Sequence, residues 1–363
     1  MPNIPSGVLD VVGVAGMFLL LIAPHEAGHF LVAKLFKVRV IEFSIGAGIK
    51  LWSTTRDGTL YALRLLPILG YVRMGGMEGG DFDEPNGFHS KHPAKRIAIL
   101  AAGPAANFIV AIVLITGAAL TQLNTVPGLV ADVVLTWKID GRTVATPASV
   151  AGFKAGDRIR FINGTPVTAP DTIEQQELAS RGQTVVISGV HANGQGFTVA
   201  VQPVCIDGTC RMGIDIARIT TPITAVEDGF KFPGQALQVI GQGFQALLSG
   251  QVKGGLLGPS GLTGPIGIAA ITADAVNQGP PEFVFLVALL SVALAVTNLL
   301  PLLALDGGRI VVVVVEWLRR RPFDRNMELN FQRWGLAALL ALAAVISFLD
   351  VQRWVSGQFP GVG

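Results

Sequence analysis

The sequence predicts a polytopic α-helical membrane protein with about four transmembrane segments, a membrane-associated β-ribbon and an inserted extracytoplasmic domain. Three observations predict it. Half of the 363 residues are hydrophobic and only 14% are charged, against about 25% in an average soluble domain. Four stretches are apolar enough to enter a bilayer, whose crossing takes about 20 such residues. The basic residues between these stretches cluster in a way that fits one orientation.

Residues 11–33 form the first span, although it contains His25, Glu26 and His29. It lacks a basic leader, and its apolar run is too long for a signal peptide and is interrupted by those polar groups, so it is expected to stay in the mature protein. Residues 40–44 and 60–66 read as strands, with Arg56-Asp57-Gly58 as a turn between strands. Pro67 and Gly70 are expected to break the run before one more short strand at residues 70–74. Backbone of this kind survives at membrane depth only if it is buried in protein or lines a wet cavity, so the ribbon is placed dipping into the cytoplasmic side. Residues 75–92 read as a polar loop.

Residues 97–123 are the second span and carry no charge. Residues 126–204 change character, becoming rich in Val, Thr, Asp and Gly, with short strand-like runs and a helix at 172–180. They predict a small soluble domain. Residues 225–257 are amphipathic and Gly-punctuated, and predict helices lying on the membrane or on the protein core. Residues 283–305 form the third span, broken near Asn298 and Pro301 and continued by the apolar residues 310–317. Residues 334–349 form a fourth span, short for a crossing. The resulting division is 1–125 for the first half of the membrane core, 126–204 for the outer domain, 205–281 for a hairpin and surface helices, and 282–363 for the second half of the core.

Lys34, Lys37 and Arg39 follow the first span, Lys91, Lys95 and Arg96 precede the second, and Arg319, Arg320, Arg321 and Arg325 follow the third. Placed in the cytoplasm, these clusters put both termini and residues 122–281 outside. The net charge of +2 is too small for a nucleic-acid footprint, which needs a concentrated basic face. Two cysteines build neither a disulfide scaffold nor a Cys-based zinc site. Cys205 and Cys210 flank Asp207-Gly208, a tight-turn signal that sets the thiols across from each other. An oxidising exterior permits a bond there, and two unpaired thiols are the alternative. No oligomeric state is assigned.

The chemistry centres on His25-Glu26-Ala27-Gly28-His29. Positions i and i+4 share one helix face, so the two imidazoles can hold one Zn²⁺, with Glu26 beside it as general base on a water. Such residues inside an apolar span are costly to insert and mark a functional site. A catalytic zinc takes three protein ligands. Asp306, after the break at Pro301 and before Gly307-Gly308, is the best third ligand; it could also cap the helix that follows. Asp10 lies at the wrong end of the first span, and Asp350 near the opposite membrane face. Asn107, in a run of small residues on the second span, and Asn298 on the third could orient substrate, stabilise an oxyanion or bond between helices.

These motifs resemble the site-2 protease family of intramembrane zinc metalloproteases. The resemblance rests on His25-Glu26-Ala27-Gly28-His29-Phe30, Phe43-Ser44-Ile45-Gly46, Gly70-Tyr71-Val72-Arg73-Met74, Gly103-Pro104-Ala105-Ala106-Asn107, Gly264-Pro265-Ile266-Gly267, Asn298-Leu299-Leu300-Pro301 and Leu305-Asp306-Gly307-Gly308. It covers most of the chain and looks like the bacterial type that cleaves anti-sigma factors. Residues 147–159, followed by Ile162-Asn163-Gly164, resemble a PDZ domain, present in one copy. One departure is Leu302-Leu303-Ala304, where relatives often carry a second proline. The resemblance implies that His25, His29 and Asp306 bind zinc and that Glu26 is the base. It further implies that Asn107 and Asn298 hold substrate, and that Gly70, Tyr71, Val72, Arg73 and Met74 pair with an unwound substrate strand. Implied partners are single-span membrane proteins pre-trimmed by another protease, and the lipid bilayer of the bacterial plasma membrane. The competing readings are a PDZ-bearing membrane scaffold, with its metal site structural or lost, and a metal transporter, against which no inverted repeat is seen.

Overall fold

The computed structural model describes residues 6–77, 84–139, 142–169, 171–206, 209–251, 258, 261–302 and 304–356. The chain begins with helix α1 (Ser6–Leu35), strands β1 (Val40–Arg56) and β2 (Thr59–Met74), and helix α2 (Pro93–Thr121). Then come β3 (Val130–Val133), β4 (Thr136–Ile139), β5 (Arg142–Ala145), the short helix α3 (Pro147–Val150), β6 (Arg158–Ile162), β7 (Thr165–Pro166) and α4 (Asp171–Ser180). Strands β8 (Val185–Val190), β9 (Gly196–Val201), β10 (Val204–Ile206), β11 (Thr209–Arg211) and β12 (Ile214–Ile216) follow. Helices α5 (Pro222–Leu248), α6 (Pro265–Gln278), α7 (Pro280–Leu299), α8 (Asp306–Arg319) and α9 (Arg325–Val355) complete it.

Four helices are long and apolar enough to cross a membrane: Gly7–Leu35, Pro93–Thr121, Pro280–Leu299 and Arg325–Val355. The last corrects the short fourth span expected at 334–349. It starts nine residues earlier because the Asp324 side chain caps it, accepting from the Asn326 and Met327 amides at 2.8 and 3.3 Å. Helix α6 was not expected; Pro265 opens it at a first-turn position that needs no amide hydrogen.

One compact unit comprises Met1–Ala118 with Glu227–Gly363. Within it, α5 lays Phe232 and Ala236 against Ala111 of α2 and Ala288 and Val292 of α7, so its apolar stripe packs on the helical core. Two buried charge clusters tie the helix ends. Glu316 of α8 accepts from Arg96 at 2.8 Å and from Arg325 at 2.7 Å. Asp350 of α9, fully buried, accepts the Gly264 and Gly267 amides at the start of α6, both at 2.9 Å, and lies 3.4 Å from Arg353. Removing one partner from such a pair strands a buried charge, at about 3–5 kcal/mol.

The ribbon differs from expectation in an instructive way. β2 runs unbroken from Thr59 to Met74. Each of Glu42, Phe43, Ser44 and Ile45 has two partners, one among residues 60–63 and one among residues 70–73. The segment 40–45 therefore lies between the two halves of β2. Pro67 is tolerated because it falls between the two registers, where Leu66 and Gly70 are the flanking paired residues. Gly70–Met74 is left as one outer edge and residues 50–56 as the other. Glu42 clamps the arrangement, since its Oε1 accepts from Arg64 of the first half at 2.8 Å and from Tyr71 of the second at 2.7 Å.

The second unit is Ala119–Val226. A four-stranded sheet, ordered β7-β6-β8-β9, encloses a core with β3, α3 and α4 that includes Ile159, Ile162, Ile173 and Ile187. β12 pairs with β3, and Met212 lies in the same core, so residues after 204 pack within this unit. Cys205 and Cys210 are opposed across β10 and β11 and joined by a disulfide; the Asp207-Gly208 turn lies outside the described residues. Asn124 and Thr220 exchange backbone hydrogen bonds of 3.0 and 2.7 Å, so the unit's entry and exit are adjacent.

Glu177 of α4 is buried and accepts the Met212 amide at 2.9 Å. Burial pushes its carboxyl up to about 7, against the lowering pull of that amide and of Arg211. Because the folded pKa lies above the unfolded one, the contribution is fully present below about pH 4.5 and is lost as pH rises through about 7. Glu177→Gln keeps an acceptor for Met212 and should stabilise this unit at pH 8 by on the order of 1–2 kcal/mol, with little effect at pH 4.5. Hydrogen exchange at the Met212 amide, in wild type and variant across that pH range, checks it.

Candidate active site

Pro24 and Pro104 sit inside α1 and α2. Each removes one intrahelical bond and loosens the preceding turn. The two helices meet just beyond these points. Gly103 of α2 lies so close to the rings of His29 and His25 that any Cβ there would collide with them. The crossing thus needs a residue without a side chain at 103, and it sets both imidazoles in a buried position, 8% and 6% exposed. His29 is oriented further by its Nδ1, which donates to the Ile99 carbonyl at 2.8 Å.

Asp306 is delivered by the break after α7. Pro301 ends the helix, Leu305 occupies the cap position of α8, and Asp306 is its first residue. Its side chain makes no capping bond. Instead Oδ2 lies 3.2 Å from His25 Nε2 and 3.3 Å from His29 Nε2, and the two Nε2 atoms are 3.2 Å apart. A tetrahedral zinc with bonds of about 2.0–2.1 Å separates its ligand atoms by about 3.3–3.4 Å. Two neutral imidazoles and one carboxylate are also a donor set of catalytic zinc. The three groups fit the ion.

A cavity of about 570 Å³ opens on this cluster and includes Glu26, Leu69, Asn298 and Arg309 in its wall. Gly70, Tyr71, Val72 and Met74 of the ribbon edge line it as well. The ribbon passes α1 at Gly70, where a Cβ would strike Ile22 and Glu26. The edge strand therefore runs beside the Glu26 carboxylate, next to His25.

Not every expected residue is brought there. Asn298 lines the cavity and donates to its own helix at Leu294 O, 3.1 Å away. Arg73 is absent from the cavity wall, although Tyr71, Val72 and Met74 around it line it. Asn107 does not reach the wall either. It faces the packed interior and is wholly buried, and its backbone carbonyl accepts from Ser291 at 2.9 Å.

Other cavity residues were missed. Arg309 lies one turn beyond Asp306, a spacing that alone could have flagged it. It donates to Gln332 at 3.1 Å and reaches Met77 Sδ at 3.8 Å. Leu329, Gln332, Arg333 and Leu336 of α9 complete a wall that only tertiary packing reveals.

Residues 13–342 match Peptidase family M50. The chain is 31% identical over 391 residues to the zinc metalloprotease Rip1 of Mycobacterium tuberculosis, covering 94% of this chain and 95% of the relative. A protein of Clostridium perfringens named as a candidate zinc metalloprotease is 30% identical over 337 residues, covering 92% and 96%. A similarly named protein of Clostridium acetobutylicum is 31% identical over 336 residues, covering 92% and 95%.

Gly103→Ala should push the imidazoles apart and lower zinc affinity about 10- to 100-fold, the range seen when metal ligands lose their orientation. Chelator competition on the purified protein, with Ala105→Gly as a control on the same helix, measures this.

Proposed function

This chain belongs to peptidase family M50 as a multi-pass membrane zinc metalloendopeptidase, and we propose that it hydrolyses peptide bonds within or near the membrane-spanning segments of single-span proteins. The observation that carries this reading is the convergence of His25, His29 and Asp306, whose ligand atoms all lie within 4.8 Å of one another, on a cavity that also holds Glu26.

His25, His29 and Asp306 hold the zinc. The bound ion supplies Lewis acidity, bringing a water close to neutral pKa and polarising a carbonyl. Glu26 takes the proton of the attacking water and then delivers it to the nitrogen of the leaving amine. A helical substrate hides its peptide bonds, so the segment must be extended before attack. Gly70–Met74 accepts it as an added strand, pairing its freed backbone groups at the ribbon edge, and Asn298 helps hold it. The free edge beside Glu26 supports this step.

The basic clusters support a topology with both termini and the Ala119–Val226 unit outside the plasma membrane. We read that unit as PDZ-like, on the residues 147–164 that resemble one. It acts as a gate that excludes bulky ectodomains until another protease has trimmed them. Anti-sigma factors are substrates of this kind.

Two experiments test these roles. In liposomes with a single-span reporter, Glu26→Gln should cut at least about 100-fold more slowly than wild type while holding the same zinc. Full activity in the zinc-loaded variant would remove Glu26 from the mechanism. Replacing residues 125–219 by a short Gly-Ser linker should leave the adjacent ends at Asn124 and Thr220 in place. Cleavage should then extend to reporters with intact ectodomains, as read on gels of trimmed and untrimmed reporter. An unchanged substrate range would rule the gate out.

A further inference from the structure

Two buried polar groups near the metal ligands have no partner among the described residues. One is Nδ1 of His25. The other is the whole carboxamide of Asn107, both Oδ1 and Nδ2. Asn107 is 0% exposed, so neither atom reaches water. An unpaired buried amide is costly, and an apolar residue would fill the place without that cost.

The packing of α1 on α2 puts the two groups level. At one end of the pair Ala33 clusters with Ile99 and Leu100; at the other, Met17 and Leu21 pack with Leu114. The helices are therefore antiparallel. Midway, Gly28 lies against the Ala102 carbonyl and the Ala106 methyl, and Gly103 against Cε1 of His25. In this ladder, residue numbers rise along α2 as they fall along α1, and the spacing sets His25 level with Asn107. Cε1 lies between the two ring nitrogens; Nε2 is the one turned to Asp306, which leaves Nδ1 as the unpaired one.

We propose that Asn107 is a positioning residue for the metal site: with the ion bound, its carboxamide oxygen would take the Nδ1 hydrogen of His25, a bond the two side chains do not make in this structure, and would hold that ring with Nε2 toward Asp306. The inference rests on the reading of His25 as a zinc ligand. Ligation at Nε2 fixes the proton on Nδ1, and that hydrogen then requires an acceptor in a buried place. His29 meets the same need through the Ile99 carbonyl. The two ligands thus have separate supports, a backbone carbonyl for His29 and a side chain for His25. Asn107 supports the ligand and does not touch the substrate.

The test is zinc affinity of the full-length protein in detergent, measured by competition with a chromophoric chelator, alongside reporter cleavage in liposomes. Asn107→Leu should weaken zinc binding about 10- to 100-fold, whereas Asn107→Asp, which keeps an acceptor, should bind as tightly as wild type or tighter. When zinc is saturating, KM for the reporter should not move. Should Asn107→Leu fold poorly, Asn107→Ser, too short to reach the ring, is expected to show the same loss against Asn107→Asp. Unchanged zinc affinity in Asn107→Leu overturns the inference and leaves the protease reading standing. A raised KM with unchanged zinc affinity assigns Asn107 to substrate instead. Failure of the wild type to take up zinc would overturn the ligand assignment on which both readings depend.

Discussion

The close crossing of α1 and α2 is the constraint on which the rest of the structure depends. Two imidazoles and two carboxylates must sit inside helices otherwise built of apolar residues, where an unpaired polar group is expensive. Bringing the groups to one point meets this cost. Gly103 provides the room, because the imidazoles occupy the space where its side chain would be. The Ile99 carbonyl takes one ring hydrogen. The break at Pro301 frees α8 to start at Asp306, whose carboxylate faces both rings instead of its own helix end. Each device is local, and each serves that single convergence.

The same economy holds the outer helices. α9 is long and its membrane-length portion is sparsely buried, so apolar packing alone does not fix it. Charges fix its ends. Arg325 pairs with Glu316 near its start, and Asp350 grips the opening amides of α6 near its finish. Between these clamps α9 contributes Gln332 and Arg333 to the cavity wall. Buried ion pairs contribute little net stability against an apolar replacement, but they are unforgiving of mispairing. Here they set where α9 stands relative to α8, and so the width of the cavity.

Much of this was legible in the sequence, for reasons that can be stated residue by residue. The His25–His29 spacing is a helical repeat, and its carboxylate neighbour is covalently fixed, so the motif needs no tertiary knowledge. Asp306 was found because few carboxylates lie in the apolar stretches. The spans follow from length and hydropathy. What could not be read depends on packing between distant segments. The α9 wall has no local pattern, since cavity-lining Leu329 and Leu336 look like any apolar helix residues. The start of α9 was missed although Asp324 is a good cap, because Arg325, Glu328 and Arg333 hid the helix from a hydropathy reading. The break expected at Pro67 failed because a proline rule describes pairing, and here the pairing itself changes sides. The burial of Asn107 away from the cavity wall was not legible because a polar residue on a span looks the same whether it faces a cavity or a neighbouring helix.

That change of sides has a consequence for how a membrane enzyme of this kind could handle its substrate. A two-stranded ribbon has two exposed edges, and an edge is a hazard because it pairs with any extended chain. Folding β2 across both flanks of residues 40–45 pairs both flanks within the ribbon and leaves Gly70–Met74 as an edge beside Glu26. Glu42 holds the two halves of β2 together through Arg64 and Tyr71. In the proposed mechanism, an unwound substrate gains backbone hydrogen bonds at this edge, next to the metal. A segment that stays helical gains none and keeps its peptide bonds covered. Selection for cleavable segments would then come from the cost of unwinding more than from side-chain recognition, since backbone pairing reads no sequence.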